Sequence, residues 1–301
     1  MAAEYLKAAS AVENFDIVSI YSRNTQTASA LAEKFKILEI ASSVDDFAKL
    51  NLDFLIVCVP ELATAGMISE FSVLNVPLLV EKPVGLTLTD ALAIESFAKD
   101  KNLPVFAALN RRFYGSSITV FNELATTNGK RFIQVNDQEN TNAALAAGQP
   151  SVVVDNWMFA NSIHIIDYIS NVCRGEPTVL YKRIDVLHGD SYVVHANISF
   201  SSGDEALYTC YWNIPGGWSV NISTPSKTWQ LSPLESARSR ELSDRHYKEI
   251  QTENLDIIYK PGLARMLLEV QKYIGGQIHG LTSISDANRT MKLIDMIYSN
   301  G

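Results

Sequence analysis

Short apolar runs separated by amphipathic stretches fill the first hundred residues. Asp16 to Tyr21 (DIVSIY), Phe54 to Val59 (FLIVCV), Pro77 to Val80 and Pro104 to Ala108 read as strands buried on both faces, because near-continuous Val, Ile and Leu marks a parallel sheet. Between them, Thr25 to Phe35 and Glu61 to Leu74 carry apolar side chains at helical spacing, and Thr89 to Lys101 reads as a helix capped by Thr89. The chain opens in another helical stretch, MAAEYLKAASAV. This alternation predicts a doubly wound parallel sheet.

From about Phe132 the period changes to that of strands. Arg131 to Asn136, Val179 to Leu187, Tyr192 to Ser201, Glu205 to Asn213, Trp218 to Thr224 and Lys227 to Leu231 are separated by turn sequences such as SSGDE and IPGG, which predicts an antiparallel meander. One helix, near Trp157 to Asn171, interrupts it, and Pro261 to Ile274 and Ser285 to Tyr298 read as closing helices. The expected organisation is a parallel α/β domain over residues 1–108, joined by the C-terminal helix 285–301. An α+β domain with a large open, mainly antiparallel sheet would occupy residues 109–284.

Composition then excludes several classes. With 47% hydrophobic and 19% charged residues in 301, the chain is neither disordered nor fibrous. Its 25 Lys and Arg against 33 Asp and Glu, a net charge of −8, argue against nucleic acid as a partner. Cys58, Cys173 and Cys210 are odd in number and form no CxxC, which points to reduced thiols in the cytoplasm without a disulfide framework or a metal site. No apolar run approaches the roughly 18 residues of a membrane span, and the first residues lack the basic start and apolar stretch of a signal peptide.

One feature that a dinucleotide-binding domain requires is missing. Such a domain opens with a strand, a glycine-rich turn and a helix, whereas here the first glycine is Gly66 and no GxGxxG occurs. Either the chain begins upstream of Met1 or it does without the pyrophosphate-binding loop.

Four short segments in order carry more specific information: Val57 to Pro60, then Glu81-Lys82-Pro83 after PLLV, then Asn110-Arg111-Arg112-Phe113 after VFAAL, then His164-Ile165-Ile166-Asp167. Together with the closing SISDANRTMKLIDMIY they resemble the Gfo/Idh/MocA family over nearly the whole chain. The resemblance implies a Rossmann domain, a second domain with an open sheet, and a nicotinamide cofactor between them. It implies hydride transfer to or from a ring carbon of a sugar, cyclitol or nucleotide-sugar, with Lys82 beside the nicotinamide and the reacting hydroxyl. A lysine at the carboxyl edge of a parallel sheet lies where such folds bind ligands, and its charge can polarise an oxygen or relay its proton.

The family's second motif usually reads Asp-x-Gly-x-His-x-x-Asp. Here His164 and Asp167 match, while Ala160 and Ser162 stand in place of the Asp and Gly. Positions 160, 164 and 167 share a helical face, so Ala160 cannot supply the carboxylate that would orient the imidazole. Asn161 or Asp155 are the candidates to replace it. His164 is expected to act as general acid and base near pH 6.5.

After DIVSIY, Ser22 and Arg23 suit the 2′-phosphate of NADP, and no acid stands there for the ribose of NAD. NADP is favoured, with NAD the alternative; the bland reading is a polar turn that caps the next helix through Asn24 or Thr25. The resemblance thus implies cofactor contacts from Ser22, Arg23, Pro60, Glu81, Lys82 and Arg111. It implies substrate contacts from Lys82, Arg112, Asn161, His164 and Asp167, and catalysis by Lys82 and His164. The aromatic stretch Tyr208 to Trp218 reads as core and turn, with sugar stacking the lesser reading; its WNxPGxW pattern is similar to family members associated with surface-polysaccharide sugars. A homodimer or homotetramer through the open sheet is also implied. The competing reading is a non-catalytic family member that binds a ligand or protein partner, its cofactor loop being absent.

Overall fold

The computed structural model describes residues 1–299. Its first domain holds five short parallel strands, β1 (Ser19–Tyr21), β2 (Glu39–Ala41), β3 (Leu55–Val57), β4 (Leu78–Val80) and β5 (Val105–Ala107). The central strand of its group, β4, has Leu78, Leu79 and Val80 all at 0% exposure, as its unbroken apolar sequence predicts. β2 escaped the sequence reading because two of its three residues are exposed and it carries no apolar run.

The parallel strands do not form one continuous sheet. β1 pairs with β2, and β3, β4 and β5 form a separate group. A cavity of about 530 Å³ lies between them, lined by β1 on one side, by β3 on the other, and by Ala2, Tyr5 and Leu6 of the helix Ala2–Ala9. The helix after β4 runs Leu88–Asp100 and is capped by Thr87, not Thr89. Thr87 Oγ1 accepts from the Asp90 backbone N–H while the Asp90 carboxylate accepts from Thr87, a reciprocal pair that Thr89 has no partner to make.

The second domain is built on eight strands: β6 (Phe132–Glu139), β7 (Pro177–His188), β8 (Ser191–Phe200), β9 (Glu205–Trp212), β10 (Ser219–Ser223), β11 (Lys227–Leu231), β12 (Ala237–Glu241) and β13 (Lys248–Ile250). Their order is β13-β12-β11-β10-β6-β9-β8-β7. The sheet is therefore not a plain meander. β6 inserts between β10 and β9 and runs parallel to β9. Its inward face, Ile133, Val135, Asp137 and Glu139, is at most 1% exposed, which suits a strand with a neighbour on each side.

Helix Ile163–Val172 lies between this sheet and the C-terminal helix Ile284–Tyr298, and all its residues except Ser170 and Asn171 are buried. The C-terminal helix reaches back to the first domain, where Asn288 Nδ2 donates to the Ala91 carbonyl at 3.1 Å and to Glu95 at 2.7 Å. Residues 300 and 301 of the expected 285–301 segment lie outside the described residues. Among the described residues no helix is long and apolar enough to cross a membrane, and no cluster of three or more His, Cys, Asp or Glu could hold a metal ion.

Candidate functional site

Lys82 leaves the carboxyl end of β4, where the strand stops and the Lys82–Pro83 peptide is cis. Three residues on, a Cβ on Gly85 would lie 2.4 Å from the Ala91 nitrogen, so only glycine lets this loop pass against the helix Leu88–Asp100. The Lys82 side chain turns away from the first domain. Its Nζ donates to the Ala160 carbonyl at 2.7 Å. Burial brings the ammonium down to about 8, outweighing Glu81, which acts in the opposite sense; Arg111 lowers it further. Glu81 itself accepts a hydrogen bond from the buried Tyr5 hydroxyl at 2.8 Å, tying the first helix to the end of β4.

The segment that receives Lys82 is not the regular helix that the sequence predicts across Trp157 to Asn171. Met158–Ser162 forms a π-turn, and regular α-helix begins only at Ile163. Wide turns of this kind interrupt the α-helical bonding pattern and recur at functional sites. Ala160 is 2% exposed and has no carboxylate to offer; its backbone carbonyl is what meets the lysine.

Beneath the turn lies a carboxyl pair that the sequence reading passed over. Glu139 accepts from Trp157 Nε1 at 2.6 Å, from Asn161 Nδ2 at 2.8 and 3.1 Å, and from Ser162 Oγ at 3.0 Å. Asp137, the next inward residue of β6, accepts from the Tyr208 hydroxyl at 2.7 Å. Burial above all, then the Asp137 carboxyl, pushes Glu139 up to about 9, and burial raises Asp137 too. Two desolvated carboxyls on adjacent inward positions do not both ionise at neutral pH, so the pair keeps a proton. The available signal was the alternation Ile133, Val135, Asp137, Glu139: the predicted strand stopped at Asn136, whereas the period continues and turns both acids inward.

His164 sits at the start of the regular helix, 5% exposed, and its Nδ1 has no hydrogen-bond partner among the described residues. Asn161 bonds Glu139 rather than His164, whose Nδ1 therefore gains nothing from it. Burial first, then the cations Arg111, Lys82 and Lys260, holds the imidazole well below its ordinary value. The expected titration near pH 6.5 is thereby corrected: His164 is neutral at physiological pH. Its ring lies 6.4 Å from that of Trp218, and the Arg111 guanidinium stacks over the same indole at 5.0 Å. Arg111 Nε is a second buried polar atom without a partner among the described residues. Lys82, Glu139, Arg111 and His164 are thus coupled electrostatically in one place, with Trp218 covering two of them.

The other predicted residues lie elsewhere. Arg112 and Asp167 meet each other in a two-point ion pair, both contacts 2.7 Å, and Asp167 also accepts from Thr290 at 2.8 Å and Asn171 at 3.0 Å. This buried cluster joins the NRRF turn, the helix Ile163–Val172 and the C-terminal helix. Ser22, Arg23 and Pro60 line the cavity between β1 and β3. Ser22 Oγ accepts from the Asn24 N–H, and Asn24 caps the next helix by accepting from Thr27, so the turn does carry out the capping role.

The chemistry of two groups of side chains suits a nicotinamide dinucleotide. The unpartnered Nδ1 of His164 and Nε of Arg111, with the Lys82 ammonium, provide polar atoms for the nicotinamide end and a substrate. Ser22 and Arg23, which line the cavity between β1 and β3, carry a hydroxyl and a guanidinium that suit a ribose or a phosphate. Among the described residues no glycine-rich turn faces the space between them.

Residues 1–109 match the model of an oxidoreductase family with an NAD-binding Rossmann fold. No curated protein sequence matches the chain. Among solved structures, a dehydrogenase from Chromobacterium violaceum is similar at TM-score 0.84 and 18% identity, covering 98% of this chain and 90% of that one. A UDP-N-acetylglucosamine 3-dehydrogenase from Acidithiobacillus ferrooxidans is similar at TM-score 0.76 and 13% identity, over 98% and 92%. A levoglucosan dehydrogenase, solved with NADH and levoglucosan, is similar at TM-score 0.76 and 14% identity, over 98% and 92%. Residues 1–109 thus match the Gfo/Idh/MocA oxidoreductase model, and the whole chain takes the two-domain fold of these neighbours: a parallel Rossmann-type domain and a large, mainly antiparallel sheet.

Proposed function

We propose that the chain is an NAD(P)-dependent oxidoreductase that moves a hydride between the nicotinamide and a ring carbon of a sugar, cyclitol or nucleotide-sugar. The observation that carries this reading is the Lys82 ammonium, enclosed at the carboxyl edge of the parallel sheet and brought down to about 8. At neutral pH such a group holds a proton yet can release it, which suits it to polarise a hydroxyl or carbonyl oxygen and exchange its proton. The cofactor, when bound, supplies the hydride chemistry. Neutral His164 accepts a proton or orients the hydroxyl, and Arg111 over Trp218 closes the other side. Ser22 and Arg23 favour NADP. The neighbours that act on UDP-N-acetylglucosamine and levoglucosan support the carbohydrate class.

The exposed apolar residues Leu180, Ile184, Val186 and Leu187 on edge strand β7 support self-association into a homodimer or homotetramer. The competing reading, a non-catalytic binder, draws on the interrupted parallel sheet and the missing glycine turn. Coupled NADPH and NADH assays on a panel of sugars, cyclitols and nucleotide-sugars separate the two. Turnover that falls on the order of 10²-fold or more in Lys82→Met, with cofactor affinity kept, is the expected result. Cofactor binding without turnover on any member of the panel counts against the enzyme reading.

A further inference from the structure

Glu139 makes four hydrogen bonds to one turn of chain, and that turn's backbone holds the reacting lysine. Trp157, Asn161 and Ser162 are spaced i, i+4 and i+5, a spacing that i→i+5 bonding brings to one side. All three donate to the Glu139 carboxyl from that side, at 2.6 to 3.1 Å. The Ala160 carbonyl, inside the same turn, accepts from Lys82 Nζ at 2.7 Å. A single buried side chain on β6 thus grips Trp157, which precedes the wide turn Met158–Ser162, and Asn161 and Ser162 at its far end. Trp indole and Asn amide nitrogens can only donate, so an acceptor opposite them is obligatory once they are buried.

We infer that Glu139 is a positioning residue for Lys82: by tying Trp157, Asn161 and Ser162 it holds the π-turn open, and the open turn aims the Ala160 carbonyl at the lysine ammonium. The contact to Lys82 is thus made by a backbone oxygen braced from the neighbouring strand. The inference deepens the oxidoreductase reading and rests on it for the lysine's role in the reaction.

The test reads the titration of Lys82 itself, without substrate. Charged groups acting on its ammonium are Glu81 and Glu61, which favour the charged form, and Arg111, which opposes it; Glu139, pushed up to about 9, favours the charged form only where it ionises, and the neighbouring His164 is neutral. The rate of Lys82 acetylation by acetic anhydride is followed against pH by mass spectrometry of its peptide, on the full chain. In wild type the midpoint is expected at about 8. Glu139→Leu removes the acceptor for all three donors; loss of the carbonyl partner lowers the midpoint by roughly one to two units. Glu139→Gln keeps an oxygen for Trp157 and Asn161 and can donate to the Ser162 hydroxyl, so its midpoint stays within about half a unit of wild type.

Asn161→Leu removes two of the four bonds from the turn's side and is expected to lower the midpoint too. It carries the comparison if Glu139→Leu does not fold, as judged by circular dichroism. A wild-type midpoint in either folded Leu variant overturns the inference. So does an equal fall in Glu139→Gln and Glu139→Leu, which would assign the effect to carboxyl charge rather than to the turn. A shifted midpoint in a protein without turnover faults the oxidoreductase reading and leaves this one standing.

Discussion

Replacing Lys82 with methionine should stabilise the fold while removing its chemistry. In the folded chain the ammonium is enclosed and its pKa falls from the ordinary 10.5 to about 8. The unfolded chain keeps the ordinary value. Below pH 8 the lysine is protonated in both states, and the fold bears the full cost of an enclosed charge, about 3 kcal/mol for a fall of this size. Between pH 8 and 10.5 the folded lysine is neutral while the unfolded one still binds a proton. Wild-type stability therefore rises with pH across that window, and the cost is gone above it. Methionine fills a similar volume without the charge, so Lys82→Met should gain up to about 3 kcal/mol at pH 7 and lose that advantage by about pH 10.5. Urea unfolding of both proteins at pH 7 and pH 10 reads this term, because titrating groups that do not act on Lys82 cancel in the difference. Equal stabilities at pH 7, or an advantage for methionine that does not shrink as pH rises, would refute the placement of a charged Lys82 in this enclosure.

Three further outcomes are expected. Arg112→Ala leaves Asp167 buried with its ion pair broken, and urea unfolding should register a loss of about 3–5 kcal/mol; a loss below about 1 kcal/mol would mean that the pair is solvated. His164 should remain neutral at pH 6 because its folded pKa is depressed, so its nuclear magnetic resonance signals should not titrate until well below the ordinary midpoint; a midpoint at or above 6.5 counts against its enclosure among Arg111, Lys82 and Lys260. Joining an apolar strand and a glycine-rich turn ahead of Met1, to fill the cavity between β1 and β3, should tighten NADPH binding from about millimolar to micromolar, since each hydrogen bond to a phosphate is typically worth about 1.5–3 kcal/mol. Calorimetry on both chains decides it, and micromolar binding by the 301-residue chain alone would show the phosphates held elsewhere.

Much of the scaffold was legible because its signals are local. Thr25–Phe35 and Lys227–Leu231 were read to the residue, since an apolar stripe or a short alternating run bounded by capping and turn residues depends only on near neighbours. The fully apolar run before Glu81 placed Lys82 at the carboxyl end of a buried strand, the edge where open parallel sheets bind their ligands, although such a lysine by itself is more often a solvated loop charge. The capping of the next helix was misread by two residues, and β2, β12 and β13 were missed, because exposed or charged strands carry no periodic apolar signal.

What the sequence determined by itself, then, is which residues stand at the ends of which elements, with Lys82 past one buried strand and the arginine pair past the next. What only the tertiary structure decided is how they are wired. Arg112 and Asp167 are 55 residues apart, and nothing local indicates that they bond each other. Lys82 and Ala160 are separated by 78 residues, and the lysine's partner is a backbone oxygen, which no side-chain motif can display. Glu139 became central because β6 pairs on both sides and turns it inward against a π-turn, and a carboxyl's ionisation is set by the water and charges around it rather than by its place in the chain.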